Sequence, residues 1–190
     1  KGLQEVKCPS SWMSVTPEKP VKRNEPEFIT KVMRPMLAQQ GDKLPMSAFP
    51  PGGIFPSGTT KYEKRGVAIN VPEWQMDKCI QCNQCAMVCP HAAIRPVLLT
   101  SDDLKNAPKG LTAKKAIGKE AEGLSFRIQV YTEDCMGCSN CADICPAKEK
   151  ALVMKPIGTQ MSTQIPYQQY TETIPVRSGG FDKFTVKGSQ

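Results

Sequence analysis

The chain has 190 residues, a formal charge of +7, an apolar share of 39%, 6% aromatics, 17 prolines, 14 glycines and nine cysteines. So little apolar mass in so loop-rich a chain points to help from bound metal, because metal-binding free energy can be folding free energy. No apolar run nears the roughly 18 residues that span a bilayer, no leader pattern follows Lys1, and the basic residues are scattered. A membrane span, secretion and a nucleic-acid partner are therefore not expected; the expectation is a soluble, cytoplasmic segment of a longer polypeptide.

Residues 1–65 read as an irregular, proline-rich arm with one helix. From Pro26, the residues Phe28, Ile29, Val32, Met33, Met36 and Leu37 form an apolar stripe at helical spacing, with Pro35 as a kink and Gly41 as the stop. Phe49-Pro50-Pro51-Gly52-Gly53 and Pro56-Ser57-Gly58 are turn chemistry. Residues 66–156 form the second region. Short strands are expected at Gly66–Pro72 and Leu124–Tyr131, with return strands at Ala93–Leu99 and Ala151–Lys155. An insertion at about 100–123 starts Thr100-Ser101-Asp102-Asp103 and fits a short solvated helix and loop. Residues 157–190, rich in Gln, Thr, Ser and Pro, are expected to be an extended linker with little helix.

The chemistry lies in a repeat. Cys79-Ile-Gln-Cys82-Asn-Gln-Cys85-Ala-Met-Val-Cys89-Pro90 returns as Cys135-Met-Gly-Cys138-Ser-Asn-Cys141-Ala-Asp-Ile-Cys145-Pro146, with six of twelve positions identical. Both copies are C-x2-C-x2-C-x3-C-P, the run of bacterial two-[4Fe–4S] ferredoxins. Three thiolates within seven residues wrap one face of a cubane and bond three of its irons. The fourth lies a helical turn further on and is carried away from that loop. In two-cluster ferredoxins the fourth cysteine ligates the other cluster. On that rule cluster one takes Cys79, Cys82, Cys85 and Cys145, and cluster two takes Cys135, Cys138, Cys141 and Cys89. Eight thiolates and two dications lower the net charge by four, to about +3, which suits docking to an acidic carrier.

Zinc is the alternative to weigh, but a tetrahedral site uses separated cysteine pairs and leaves the third cysteine of each run surplus. Disulfides need an oxidising compartment. Cys8 stands apart as a plain thiol. His91, the only histidine, has no second histidine with which to form a Rieske site. Ile80, Val88, Met136 and Ile144 are placed to shield the clusters. Neither a phosphate loop nor a catalytic dyad is visible. The fold class expected is α+β: a bacterial-type two-[4Fe–4S] ferredoxin-like domain of short antiparallel strands and small helices behind a proline-rich linking domain.

Beyond spacing, three elements resemble pyruvate:ferredoxin (flavodoxin) oxidoreductases. They are Met36 through Pro45, then Lys61-Tyr62-Glu63-Lys64-Arg65-Gly66 with Val71-Pro72-Glu73-Trp74, and Cys79 through Pro96. The resemblance implies the internal segment made of the linking and ferredoxin-like domains. It also implies a thiamine-diphosphate- and Mg-dependent, homodimeric parent that oxidatively decarboxylates pyruvate to acetyl-CoA and CO2. Single electrons would pass through three [4Fe–4S] clusters, one of them outside this chain, to ferredoxin or flavodoxin. A free-standing carrier ferredoxin and another 2-oxoacid oxidoreductase are the alternatives. The 78 residues before Cys79 and the basic balance weigh against a free carrier.

Overall fold

In the computed structural model, residues 25–177 are described. They form two compact units, one ending at Glu63 and the other beginning at Lys64. Cys8 and the last thirteen residues of the expected linker lie outside the described residues.

Among its described residues, the first unit carries its longest helical stretch at the N-terminal end. A π-helical turn at Ile29–Met33 runs into α1, Arg34–Leu37. The wide turn follows from Pro35, which has no N–H and whose ring would strike the carbonyl four residues back. Arg34 N–H reaches Ile29 O, five residues back, and the chain passes the proline without breaking. Ile29 and Val32 are buried as the stripe predicts, but Met36 and Leu37 are exposed. Gln39, at φ +56°, ends the helix ahead of the expected stop at Gly41. Short 3-10 turns follow at Gly41–Lys43, Met46–Ala48, Pro51–Gly53 and Thr59–Tyr62. Arg34 links both ends of the described part of the unit, pairing with Glu25 and donating to Tyr62 O at 3.1 Å. Phe55 packs edge-on against both Phe28 and Phe49.

The second unit carries the sheets. In chain order it holds β1 (Asn70–Trp74), α2 (Gln84–Met87), β2 (Ile94–Leu99), α3 (Ser101–Asn106), β3 (Lys114–Lys115), β4 (Ser125–Val130), α4 (Asn140–Asp143), β5 (Leu152–Pro156) and α5 (Ile157–Glu172). β1 pairs with β5 from Asn70↔Pro156 to Trp74↔Leu152, and the other sheet runs β2-β4-β3, all antiparallel. This is the α+β, ferredoxin-like arrangement expected from the sequence. The return strands fall within a residue of their expected bounds. β1 starts later than expected, because Gly66 at φ +58° turns the chain and gives its N–H to Glu133 O.

Two regions differ more. The insertion opens with the short helix its sequence predicts, α3, which Thr100 and Asp103 cap reciprocally, but it also adds β3 to the edge of β4. The extended linker expected from residue 157 is a 16-residue helix instead. Its buried positions are Gln160, Gln164, Gln168 and Thr171, spaced one helical turn apart, so it has a buried face but no apolar stripe to announce it. Those side chains are fastened by hydrogen bonds, among them Gln129 Nε2 to Gln164 Oε1 (3.3 Å) and Gln160 Nε2 to Glu73 Oε1 (3.3 Å). Among the described residues no helix is long and apolar enough to cross a membrane.

Candidate metal centre

Strand pairing decides which cysteines meet. β1 leads into the first cysteine run and β5 leaves the second, so their pairing sets Cys145 beside the loop that begins at Cys79. β2 leaves the first run and β4 leads into the second, which sets Cys89 beside Cys135. Each ladder is extended by one matching bond, Gln75 N–H to Ala151 O and Tyr131 N–H to Ala93 O, both 2.8 Å. Gln75 and Tyr131 hold equivalent places ahead of the two runs, so the repeat in sequence is a repeat in structure.

The result is two small pockets, each lined by four cysteines and mostly apolar side chains. Cys79, Cys82, Cys85 and Cys145 line one, with Trp74, Ile80, Ile128 and Leu152 among the walls. Cys89, Cys135, Cys138 and Cys141 line the other, with Pro72, Ile94, Met136 and His91. Among the described residues no three His, Cys, Asp or Glu side chains stand close enough to share a single metal ion. Four thiols around an apolar pocket are the donor set a cubane requires. Ile80 and Met136 do line the cavities, but both remain about half exposed, at 53% and 52%.

Backbone geometry repeats as closely. Gln81 and Gly137 (φ +59° and +72°) and Asn83 and Ser139 (φ +61° and +66°) take left-handed conformations at matching places. These turns aim amides inward. Gln81 N–H points to Cys79 Sγ and Gly137 N–H to Cys135 Sγ, both 3.4 Å; Ala93 N–H and Ala151 N–H meet Cys89 Sγ (3.3 Å) and Cys145 Sγ (3.4 Å). Such donors favour the thiolate and tune a bound cluster. Without metal, the buried thiols resist ionisation: burial first, then neighbouring thiols, push Cys85 and Cys141 up to about 12. Burial raises Cys135 as well. Positive charge from a bound metal would make thiolates of them.

Gly137 is the one position here where glycine is required. A Cβ there would lie 2.9 Å from Asn70 O and 3.2 Å from the Ala68 Cβ. Gly137→Ala is expected to cost about 1–3 kcal/mol from the left-handed backbone and this clash, read as a lower urea midpoint. An unchanged midpoint would mean that β1 yields. Gln81 occupies the matching place without that crowding and is used differently. Its buried amide donates to Lys115 O (2.8 Å) and accepts from Ile117 N–H (2.9 Å), fastening the insertion to the first cysteine loop. Neither contact was visible in sequence, since only alignment of the two runs singles out Gln81 opposite a glycine.

Residues 78–149 match the family described as a 4Fe-4S dicluster domain, and residues 15–68 match EKR, described as a domain of unknown function. The chain is 53% identical over 191 residues to pyruvate:ferredoxin oxidoreductase of Moorella thermoacetica, which covers 100% of this chain and 16% of the relative. It is 48% identical over 192 residues to pyruvate-flavodoxin oxidoreductase of Enterobacter agglomerans, again 100% and 16%. It is also 41% identical over 187 residues to the mitochondrial pyruvate dehydrogenase [NADP(+)] of Euglena gracilis, covering 98% of this chain and 10% of the relative. The chain thus matches one segment of these pyruvate oxidoreductases, spanning about a sixth of the length of the first two, and that segment carries a two-[4Fe–4S] domain.

Proposed function

We propose that this chain is the electron relay of a thiamine-diphosphate-dependent pyruvate:ferredoxin (flavodoxin) oxidoreductase. In that reading Cys79, Cys82, Cys85 and Cys145 hold one cluster, and Cys135, Cys138, Cys141 and Cys89 hold the other. The observation that carries the reading is the pair of adjacent four-cysteine cavities, each completed by a cysteine from the opposite run. The full-length match to segments of pyruvate oxidoreductases supplies the context. Clusters held in the two cavities would supply one-electron redox chemistry.

The chain's residues perform three tasks here. The cysteines hold the metal, and the crossing of Cys89 and Cys145 keeps the two sites adjacent, within short tunnelling range. Trp74, Ile128, Leu152, Pro72 and Ile94 exclude water from the inner walls. The amides of residues 81, 93, 137 and 151 stabilise negative charge on sulfur. The thiamine diphosphate with its Mg, the third cluster and the coenzyme A site belong to other domains of a homodimeric, cytoplasmic parent. That parent would deliver electrons from pyruvate to external ferredoxin or flavodoxin.

Iron and acid-labile sulfide after anaerobic reconstitution test this directly. About eight of each per chain, with a spin-coupled paramagnetic signal after dithionite reduction, is the expected result. Stoichiometric zinc with no iron would overturn the reading.

A further inference from the structure

The two-fold relation between the cysteine runs is broken by charge. Among the described residues, the insertion hydrogen-bonds to the first cysteine loop and not to the second. Besides the Gln81 clasp, Lys114 Nζ donates to Cys79 O (2.9 Å) and Met76 O (3.1 Å). On the far side of the same cavity, Lys150 Nζ donates to Cys145 O and Asp143 O, both 2.8 Å. Arg127 is 3% exposed and lies over the Trp74 ring that lines this cavity, and its hydrogen-bond partners are Gln129 and Thr112, with no carboxylate among them.

Among the described residues no lysine is seen hydrogen-bonded to a cysteine carbonyl of the second cavity. There Lys64 is paired with Asp134, beside Cys135. Arg95 donates to Ala92 O at 3.0 Å rather than to a cysteine, and spreads over the Tyr131 ring. Ion pairing also removes Lys78 from the count at the first cavity, since it meets Glu149. The loop carboxylates Asp77 and Asp143 are exposed and screened by solvent. Lys150 is exposed as well, which leaves half-buried Lys114 and buried Arg127 as the weight of the asymmetry.

We infer that Lys114, brought in by the insertion, raises the reduction potential of the cluster held by Cys79, Cys82, Cys85 and Cys145 above that of its neighbour. This rests on the relay reading given above. Adding one electron takes a four-thiolate [4Fe–4S] site from a charge of about −2 to about −3, and a fixed cation nearby favours the more negative state. The singly reduced domain therefore keeps its electron on the cluster beside the insertion.

The test is a potentiometric titration of the reconstituted 190-residue chain, with dithionite as reductant and paramagnetic resonance as readout. Lys114→Met should shift the upper of the two midpoints down by about tenfold in the reduction equilibrium, about 59 mV for one electron. The lower midpoint should stay in place, and Lys114→Arg should restore the upper one. Sign separates this from a structural role: a loosened loop admits water, and water raises the potential by solvating the reduced site. Should Lys114→Met lose iron, Lys114→Gln keeps an amide donor without the charge and carries the same expectation. An upper midpoint that rises or stays, or a shift in the lower one, overturns the inference. An unsubstituted chain without about eight irons would instead sink the relay reading on which it rests.

Discussion

Cys145→Ser is expected to halve the iron of the reconstituted chain, from about eight to about four, and to lower the melting temperature of the second unit. The residue leaves one cysteine run and lines the cavity of the other, so its loss opens the first site while removing a tie between the halves. Cys79, Cys85, Cys89 and Cys141 belong to or pack against the same core as Trp74, Phe126, Ile128 and Leu152. If those cysteines are cluster ligands, as proposed, the core is only as firm as the metal that joins them. Structural metal sites contribute on the order of 10 kcal/mol to folding, comparable with the entire net stability of an ordinary domain, about 5–15 kcal/mol. Losing one site should therefore unfold its surroundings rather than loosen them. Cys89→Ser should mirror the effect from the other cavity, and Cys8→Ser, outside both runs, should retain all the iron. Iron analysis paired with calorimetry reads both quantities, and a Cys145→Ser chain with a full complement would contradict the crossed arrangement.

The cavities were legible in the sequence because cluster ligation is a spacing problem. Three thiols in one loop and a fourth a helical turn later determine what a single run can reach. The chemistry stands in the twelve residues from Cys79 to Pro90 and in their second copy. The strands were legible too, since Ile94–Leu99 and Ser125–Val130 are rich in apolar and β-favouring residues. Hidden were the contacts that polar side chains make across long separations. Lys114 on Cys79 O spans 35 residues and Gln81 on Lys115 O spans 34. A lysine in a Lys-rich stretch reads as a solvated one, because local sequence does not say which carbonyl it will meet. The π-turn at Ile29–Met33 is a milder case: Pro35 predicts a disturbance, but not whether the helix bends, breaks or widens.

Helix α5 is where periodicity fails outright, and ending the chain at Pro156 tests what the helix does. If residues from 157 onward were an extended linker, the cut would leave the urea midpoint unchanged. The structure gives the helix a structural role instead, and a loss of on the order of 3 kcal/mol is expected, since each net hydrogen bond is worth about 0.5–1.5 kcal/mol. The cut removes the Gln164 partner of Gln129, the Gln160 partner of Glu73, the Tyr167 hydroxyl on Lys109 O and the Tyr170 hydroxyl on Asp103 O. It also takes away the Tyr167 ring that lies 4.9 Å from the Arg127 guanidinium. Gln129 is fully buried, and Arg127 already resists carrying its charge there, because burial lowers its pKa to about 10. Uncovering both residues lets water reach them and offsets part of the loss, which is why the expected cost stays below the sum of the broken bonds. The insertion should loosen at the same time, as Lys109 and Asp103 both lie within it, so hydrogen exchange should quicken at residues 100–123 before it does at the cysteine loops. A midpoint unmoved by the cut, with exchange unchanged in the insertion, would return residues 157–172 to the status of a tether.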